Sequence, residues 1–430
     1  MAQSQAFETS GHSHEIVRTE KLGAMEIKAS HRIQQALLVH SEKPRPAVNP
    51  LQVLWMVTPD QYRIDLIDGD SFTSIGQLSS QFLLEGKPQF SSDGRYAFFS
   101  SKDGWISKYD LHQLSLVAFI RVGLQTQNLA LSSDGRFVMV ANALPHSLVA
   151  LNASDLSLIR VIDMKIEEGK SSSVTAVYDA APRKSFVATL RDIPEICELS
   201  YDETAAPVYA GLVHDYQLGE GIKVQGPFPP IRIKLSDSID DIFFSSSYET
   251  LIGQTHEGIA HVVDLDLKRK IATLKLPAMS QLGTAAHWFD HGKEYLAIPS
   301  QKDALISVLD MSTWKIFHQV PTNEASAELR SRPRTASVWL TALPTQKNRQ
   351  GNTKSMQIFD KQTLGMDTEF QFNAVQQVRH LDFSRDGRYA LISLLGEPST
   401  LLIYEIKTGQ EVKRISIHPH TKIYQVGAEL

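Results

Sequence analysis

Apolar residues in this chain fall in short runs that alternate with polar ones, with a period of two far more often than 3.6. Tyr96-Ala97-Phe98-Phe99-Ser100 and Leu116-Val117-Ala118-Phe119-Ile120 are typical, each bounded by Asp, Gly or Ser. Such runs between turn-forming clusters predict β-strands joined by tight turns, and no long window carries a helical stripe.

A repeat organises the strands. Ser92-Asp93-Gly94-Arg95-Tyr96-Ala97-Phe98-Phe99 returns as Ser133-Asp134-Gly135-Arg136-Phe137-Val138-Met139-Val140 and as Arg385-Asp386-Gly387-Arg388-Tyr389-Ala390-Leu391-Ile392. A worn copy reads Asp290-His291-Gly292-Lys293-Glu294-Tyr295-Leu296. The first two copies lie 41 residues apart and the last two about 96, or two repeats of about 48. A β-rich period in the forties is a propeller signature. In each unit a strand enters an Asp-Gly turn, where glycine takes the positive φ of a tight hairpin. A third strand then ends in a polar residue: Ile67-Asp68, Tyr109-Asp110, Leu151-Asn152, Leu199-Ser200, Val263-Asp264, Leu309-Asp310, Phe359-Asp360 and Tyr404-Glu405. These endings predict an all-β, eight-bladed β-propeller over roughly residues 32–415; a seven-bladed ring with one miscounted unit is the alternative. Residues 1–31 read as a polar N-terminal extension and 32–430 as a single propeller domain. The tail after Lys413 and the segment before Leu51 are the candidates for closing the ring. Asp202 to Leu235, with its Pro227-Phe228-Pro229-Pro230 cluster, reads as an extended loop between blades, of the kind that caps a propeller channel. Gln346 to Asn352 reads as an exposed hairpin tip.

Composition narrows the function classes. Of 430 residues, 43 are Lys or Arg and 48 Asp or Glu, a net charge of −5, which argues against a nucleic-acid surface. No apolar run approaches the ~18 residues of a membrane span. The lone cysteine, Cys197, excludes an internal disulfide and a multi-thiolate metal site, and covalent c-type haem lacks its Cys-x-x-Cys-His. Dinucleotide, phosphate-loop and His-Glu-x-x-His motifs are also missing. The first residues carry neither a basic nor an apolar signal region. A complete chain is therefore expected in the cytoplasm, and a trimmed mature form in the periplasm.

The remaining candidates are histidines and arginines near strand starts. His287 precedes the worn turn and His380 stands at the equivalent place in the last unit; both fall on innermost strands lining the channel. The competing reading of each is a structural hydrogen bond. Arg191, Arg332 and Arg334 offer planar forks to a carboxylate, with simple solvation as the alternative. Cys197, in Pro194-Glu195-Ile196-Cys197-Glu198-Leu199, reads as a buried structural thiol. His12-Ser13-His14-Glu15 has metal-donor chemistry in a polar terminus.

Several segments resemble the haem-d1 propeller of dissimilatory nitrite reductase and its relatives that make or carry haem d1. They are Val57-Thr58-Pro59-Asp60-Gln61-Tyr62-Arg63, Asp93-Gly94-Arg95-Tyr96 with Lys102-Asp103-Gly104 and Tyr109-Asp110-Leu111, Pro194-Glu195, and the terminal His418-Pro419-His420-Thr421-Lys422-Ile423-Tyr424. The resemblance spans Trp55 to Tyr424 and implies haem d1 or a related tetrapyrrole as cofactor. Gly86, followed by Lys87, stands where the family's axial histidine is expected, and a glycine has no donor for iron. His287 matches one distal histidine, whereas the other falls near Leu343. The resemblance therefore implies a propeller assisting haem d1 biosynthesis or delivery rather than reducing nitrite. His287 is expected nearest the iron, with His380, Arg191, Arg334 and Lys87 as further cofactor contacts. The rival is a cofactor-free propeller acting as a protein-interaction scaffold. A hydrolase with a channel cation would need clustered acidic residues on the inner strands, and no repeated set is present.

Overall fold

The computed structural model describes residues 22–34, 48–166, 169–210, 222–255, 258–276, 282–332, 335–342, 355–372 and 377–427. Eight antiparallel sheets, each with a core of four strands, follow one another around a ring, so the eight-bladed expectation holds. Their innermost strands are Lys422–Gln425 in blade 1, then Leu84–Phe90, Gln125–Leu131, Val174–Ala180, Asp241–Phe244, Ala286–Asp290, Ser326–Arg330 and Gln377–Phe383 in blades 2 to 8.

The turn chemistry explains the repeat. In blades 2, 3 and 8, the Asp93, Asp134 and Asp386 carboxylates accept the backbone N–H two residues on and a serine hydroxyl two residues back. The next residue, Gly94, Gly135 or Gly387, has φ near +72°, open to glycine at little cost. At the other recurring turn, Asp110, Asp264, Asp310 and Asp360 accept two backbone N–H groups each. That is why the third strands end in aspartate so often.

Among the described residues no blade has a core of its own. The buried apolar side chains form eight clusters, and each lies between two neighbouring blades. Successive residues of a middle strand serve opposite clusters: Phe98 packs between blades 2 and 3, Phe99 between blades 1 and 2. Leu251 and Ile252 divide in the same way. Because both faces of a middle strand are buried, these strands read as near-continuous apolar runs.

The C-terminal segment closes the ring as expected. Lys422–Gln425 pairs with Leu54–Val57 and supplies the innermost strand of blade 1. Thr58 and Thr421 hydroxyls meet at 2.9 Å, and the Gln425 amide donates to the Phe383 carbonyl of blade 8. The part of the early segment that is described does otherwise: helix Ala24–Ser30 buries Ile27 against blades 2 and 3, and Arg32–Ile33 extends the outer edge of blade 2.

The long loop after Asp202 corrects the sequence reading. It connects the third and fourth strands of blade 4, Glu195–Ser200 and Pro230–Lys234, rather than two blades. Phe228 inserts beside Phe137 and Phe186, and Arg160 holds the Pro227 carbonyl, which pins the described loop against the flank of blades 3 and 4. The segment from Gln346 to Asn352 lies outside the described residues.

Two predictions follow from closure and burial. Ending the chain at Thr421 exposes the edge of Leu54–Thr58 and removes Ile423 from the blade 8–blade 1 core. The truncated protein is expected to lose its single cooperative melt, measured by circular dichroism. Lys361 is buried with its ammonium 2.6 Å from the Arg332 carbonyl, and desolvation pushes its pKa down to about 8. The unfolded chain then binds the extra proton between about pH 8 and the ordinary lysine value near 10.4, so this group's contribution to stability rises with pH across that window. Melting of wild type relative to Lys361→Met should therefore improve from pH 7.5 to pH 10; a constant difference would contradict the burial argument.

Candidate functional site

The site is built where the inner strands begin. Aligning the blades on the residue that ends each third strand puts Glu85, Asn128, Ala176, Asp241, Glu328 and His380 at one level, with Lys422 level with them in blade 1. At or beside this level the pairing register slips in five inner strands, around Gly86–Pro88 and at Gln127, Thr175, Ala327 and Arg379. A β-bulge leaves a residue unpaired and re-aims its side chain, so a recurring bulge turns one level of the ring into a presentation surface. Lys87 sits within the blade 2 bulge and Arg379 at the blade 8 bulge.

Polar contacts stitch this level across the blades. Asn128 grips the Val177 backbone through both its carbonyl and its amide, at 2.9 Å each. The Tyr178 hydroxyl donates to Asp241 at 2.6 Å, and Asp241 also accepts the Gly283 N–H. Arg330 donates to the Gly283 carbonyl at 2.9 Å and pairs with Glu328 at 2.6 Å. The same Glu328 oxygen stands 3.8 Å from His380 Nδ1. One chain of hydrogen bonds and charges thus runs from blade 4 to blade 8. Its members Tyr178, Asp241, Glu328 and Arg330 carry no sequence motif; Asp241 and Glu328 share the level set by the third-strand ending, and Tyr178 and Arg330 each lie two residues further along their inner strands.

The predicted residues separate. Lys87, Arg191 and His380 come to this face, with Arg191 in the turn between the second and third strands of blade 4, 57% exposed and 4.0 Å from Asp240. His287 and His380 are both on inner strands but are not equivalent. Blade 6 uses a two-residue turn, His291-Gly292, with both residues at positive φ, whereas blade 8 uses a longer one. His287 consequently sits three residues farther from the channel mouth, about 10 Å along a strand. There it hydrogen-bonds Glu294 at 2.7 Å, flanked by Phe243 and Phe289. Glu294 also accepts the Ser246 N–H from blade 5. Burial raises the Glu294 pKa, but the bonds from His287 and Ser246 outweigh it and hold the carboxyl below its usual range.

Arg332 is no free fork: it is buried, bonded to Asp382 and to the Phe383 and Gly427 carbonyls. Cys197 is fully buried and its pKa is pushed up to about 12, as a structural thiol requires. Arg334, Leu343 and the His12–Glu15 motif lie outside the described residues. Gly86 has φ +82°, its carbonyl accepts the Tyr424 hydroxyl at 3.0 Å, and a Cβ there would meet Ser100 Oγ at 3.3 Å. The local backbone selects glycine over histidine. Among the described residues one group of three metal-donor side chains converges, Asp60, His418 and His420, on the same face. Two clefts of about 380 and 700 Å³ lie elsewhere, around the Gly135 turn and beneath the blade 4 loop.

His287→Ala leaves a half-buried carboxylate short of one partner and should destabilise the fold by about 1–3 kcal/mol. Since Glu294 is depressed in the folded state, its stabilisation is complete above the unfolded carboxyl pKa and is lost as pH falls through the lower folded value. The variant should unfold at a higher pH than wild type in acid titration; identical acid midpoints would contradict the pairing.

The chain matches the model of the cytochrome D1 heme domain over residues 48–215 and 232–429. It is 33% identical over 414 residues to dihydro-heme d1 dehydrogenase of Pseudomonas aeruginosa, covering 96% of this chain and 79% of the relative. Protein NirF of Stutzerimonas stutzeri is 21% identical over 384 residues, with 88% and 89% covered. The solved structure of dihydro-heme d1 dehydrogenase NirN in complex with DHE superposes with a TM-score of 0.84, over 96% of this chain and 83% of that one.

Proposed function

This chain belongs to the cytochrome d1 haem-domain family, and from that premise we propose that it binds a d1-type tetrapyrrole at the channel mouth. Its role is in haem d1 biosynthesis or delivery rather than in nitrite reduction. The observation that carries the placement is the level of bulged inner strands, which gathers Lys87, Arg379 and His380 on one face with Arg191 at its rim. Haem d1 carries several carboxylates, and cations at a partly dehydrated mouth are their natural partners.

The donor set fits the carboxylate periphery of such a macrocycle. It does not fit axial ligation at Gly86, which has no donor atom and sits at φ +82°, a conformation that disfavours a side chain. Lys87, Arg191 and Arg334 are assigned to the carboxylates, and His380, held near Glu328, to the polar edge of the ring. His287 is assigned to support from below, through Glu294. When bound, the tetrapyrrole supplies a redox-active iron and a conjugated ring; the protein supplies orientation and charge. Attachment is noncovalent, since the one thiol is buried. The 33% identity to a dehydrogenase named for dihydro-haem d1 supports that compound or haem d1 as the ligand.

The test is a titration of the full chain with haem d1 and with dihydro-haem d1, following the Soret band. Lys87→Ala and Arg191→Ala should each weaken binding about 2–10-fold, as loss of one partly exposed charged contact does, and Arg334→Ala belongs in the same series. His380→Ala should alter the spectrum of the bound form. Loss of the shift in His287→Ala alone, with the mouth variants unaffected, would move the ligand deeper into the channel. No saturable shift at micromolar ligand would overturn tetrapyrrole binding and leave the scaffold reading.

A further inference from the structure

We propose that Asp60, His418 and His420 form a binding site for a divalent cation of the zinc class, a clasp across the closure of the ring. The donors come from opposite ends of the chain. Asp60 lies in the Pro59–Gln61 turn between the second and third strands of blade 1. His418 and His420 directly precede the closing strand, in the segment that Thr421 anchors to Thr58.

The donor atoms already face one another. His420 Nδ1 is 2.9 Å from one Asp60 oxygen and His418 Nδ1 is 3.6 Å from the other. The one-atom-per-residue donor set lies within 4.8 Å throughout. In a tetrahedral zinc site with bonds of about 2.0–2.1 Å the donors stand about 3.3 Å apart, between the two observed separations. His418 Nδ1 accepts the His420 backbone N–H in a long hydrogen bond of 3.4 Å, which a cation taking that lone pair would displace.

A proton alone accounts for only half of this arrangement. The His420–Asp60 contact is an ordinary hydrogen bond, but 3.6 Å is too long for one between His418 and Asp60. Two imidazoles with centroids 5.5 Å apart, each with Nδ1 within 3.6 Å of one carboxylate, leave a gap that a shared cation can bridge. Two nitrogens with one carboxylate select zinc, nickel or copper over magnesium or calcium, which prefer oxygen. His420 is 65% exposed and Asp60 41%, so the remaining coordination positions open to water.

The inference is independent of the tetrapyrrole and is tested on the full chain without it. His12→Ala and His14→Ala are introduced first, so that the N-terminal motif does not compete for metal. Cobalt(II) should then bind saturably with visible d–d bands, one equivalent displaced by zinc. His418→Ala and His420→Ala should each weaken zinc binding at least tenfold by calorimetry, Asp60→Asn severalfold, and the double histidine variant should abolish it. Zinc should raise the melting temperature of the parent but not of the double variant, because a clasp binds only the closed ring. His420→Gln, at an exposed position, guards against a folding defect and should lose affinity with an unchanged melt in the absence of metal. Unchanged zinc affinity in the double variant, or no saturable uptake below about 1 mM, would overturn the proposal.

Discussion

The hydrogen-bonding edge of Leu54–Thr58 is the constraint on which the rest depends. Without Lys422–Gln425 that edge is open, and the Leu54, Met56 and Ile67 side chains lose Ile423 from their cluster. Since every apolar cluster lies between two blades, no blade buries its faces until its neighbours are in place. A chain in which each sheet depends on the next has no stable free end, and closure by the last strand removes the need for one. Stability in this protein is therefore a property of the circle rather than of any segment.

The same closure makes the channel mouth. Inner strands held at fixed heights by the apolar clusters bring Lys422, Glu85, Asn128, Asp241, Glu328 and His380 to one level from positions far apart in sequence. The bulges beside that level interrupt pairing where side chains are needed, and the contacts from Tyr178 to His380 satisfy the charges so gathered. A ligand bound at this mouth, as proposed above, would meet a surface organised before it arrives, which lowers the ordering cost of binding. Gly86 takes a left-handed backbone position and has no donor atom, so what this platform offers is charge and shape.

Much of the architecture could be read from the chain, because it is written in local chemistry. Asp-Gly turns and aspartate-ended third strands depend on contacts within a few residues, and all eight endings fall where the third strands stop. Less of the site could be read. Spacing from the Gly turn made His287 and His380 look equivalent, yet the turns differ in length and the two histidines stand three residues apart in height. Arg332 had the composition of an anion fork but is consumed by Asp382 and two carbonyls contributed by distant segments. The loop after Asp202 had the composition of an inter-blade connection, and only the pairing of Glu195–Ser200 with Pro230–Lys234 assigns it to the inside of blade 4.

The sequence by itself determined the strand grammar, the propeller class, the buried thiol and the want of a covalent haem motif, and the sheets settled eight blades over seven. These follow from short-range hydrogen bonding, from burial on both faces of a strand, and from residues that are present or missing. Only the tertiary structure decided which polar residues share the mouth, which arginines are already spent, and that Asp60 faces His418 and His420 across the closed ring. Those are matters of height and register around a circle. They are set by packing between blades, and side chains more than three hundred residues apart become neighbours only after the last strand has docked.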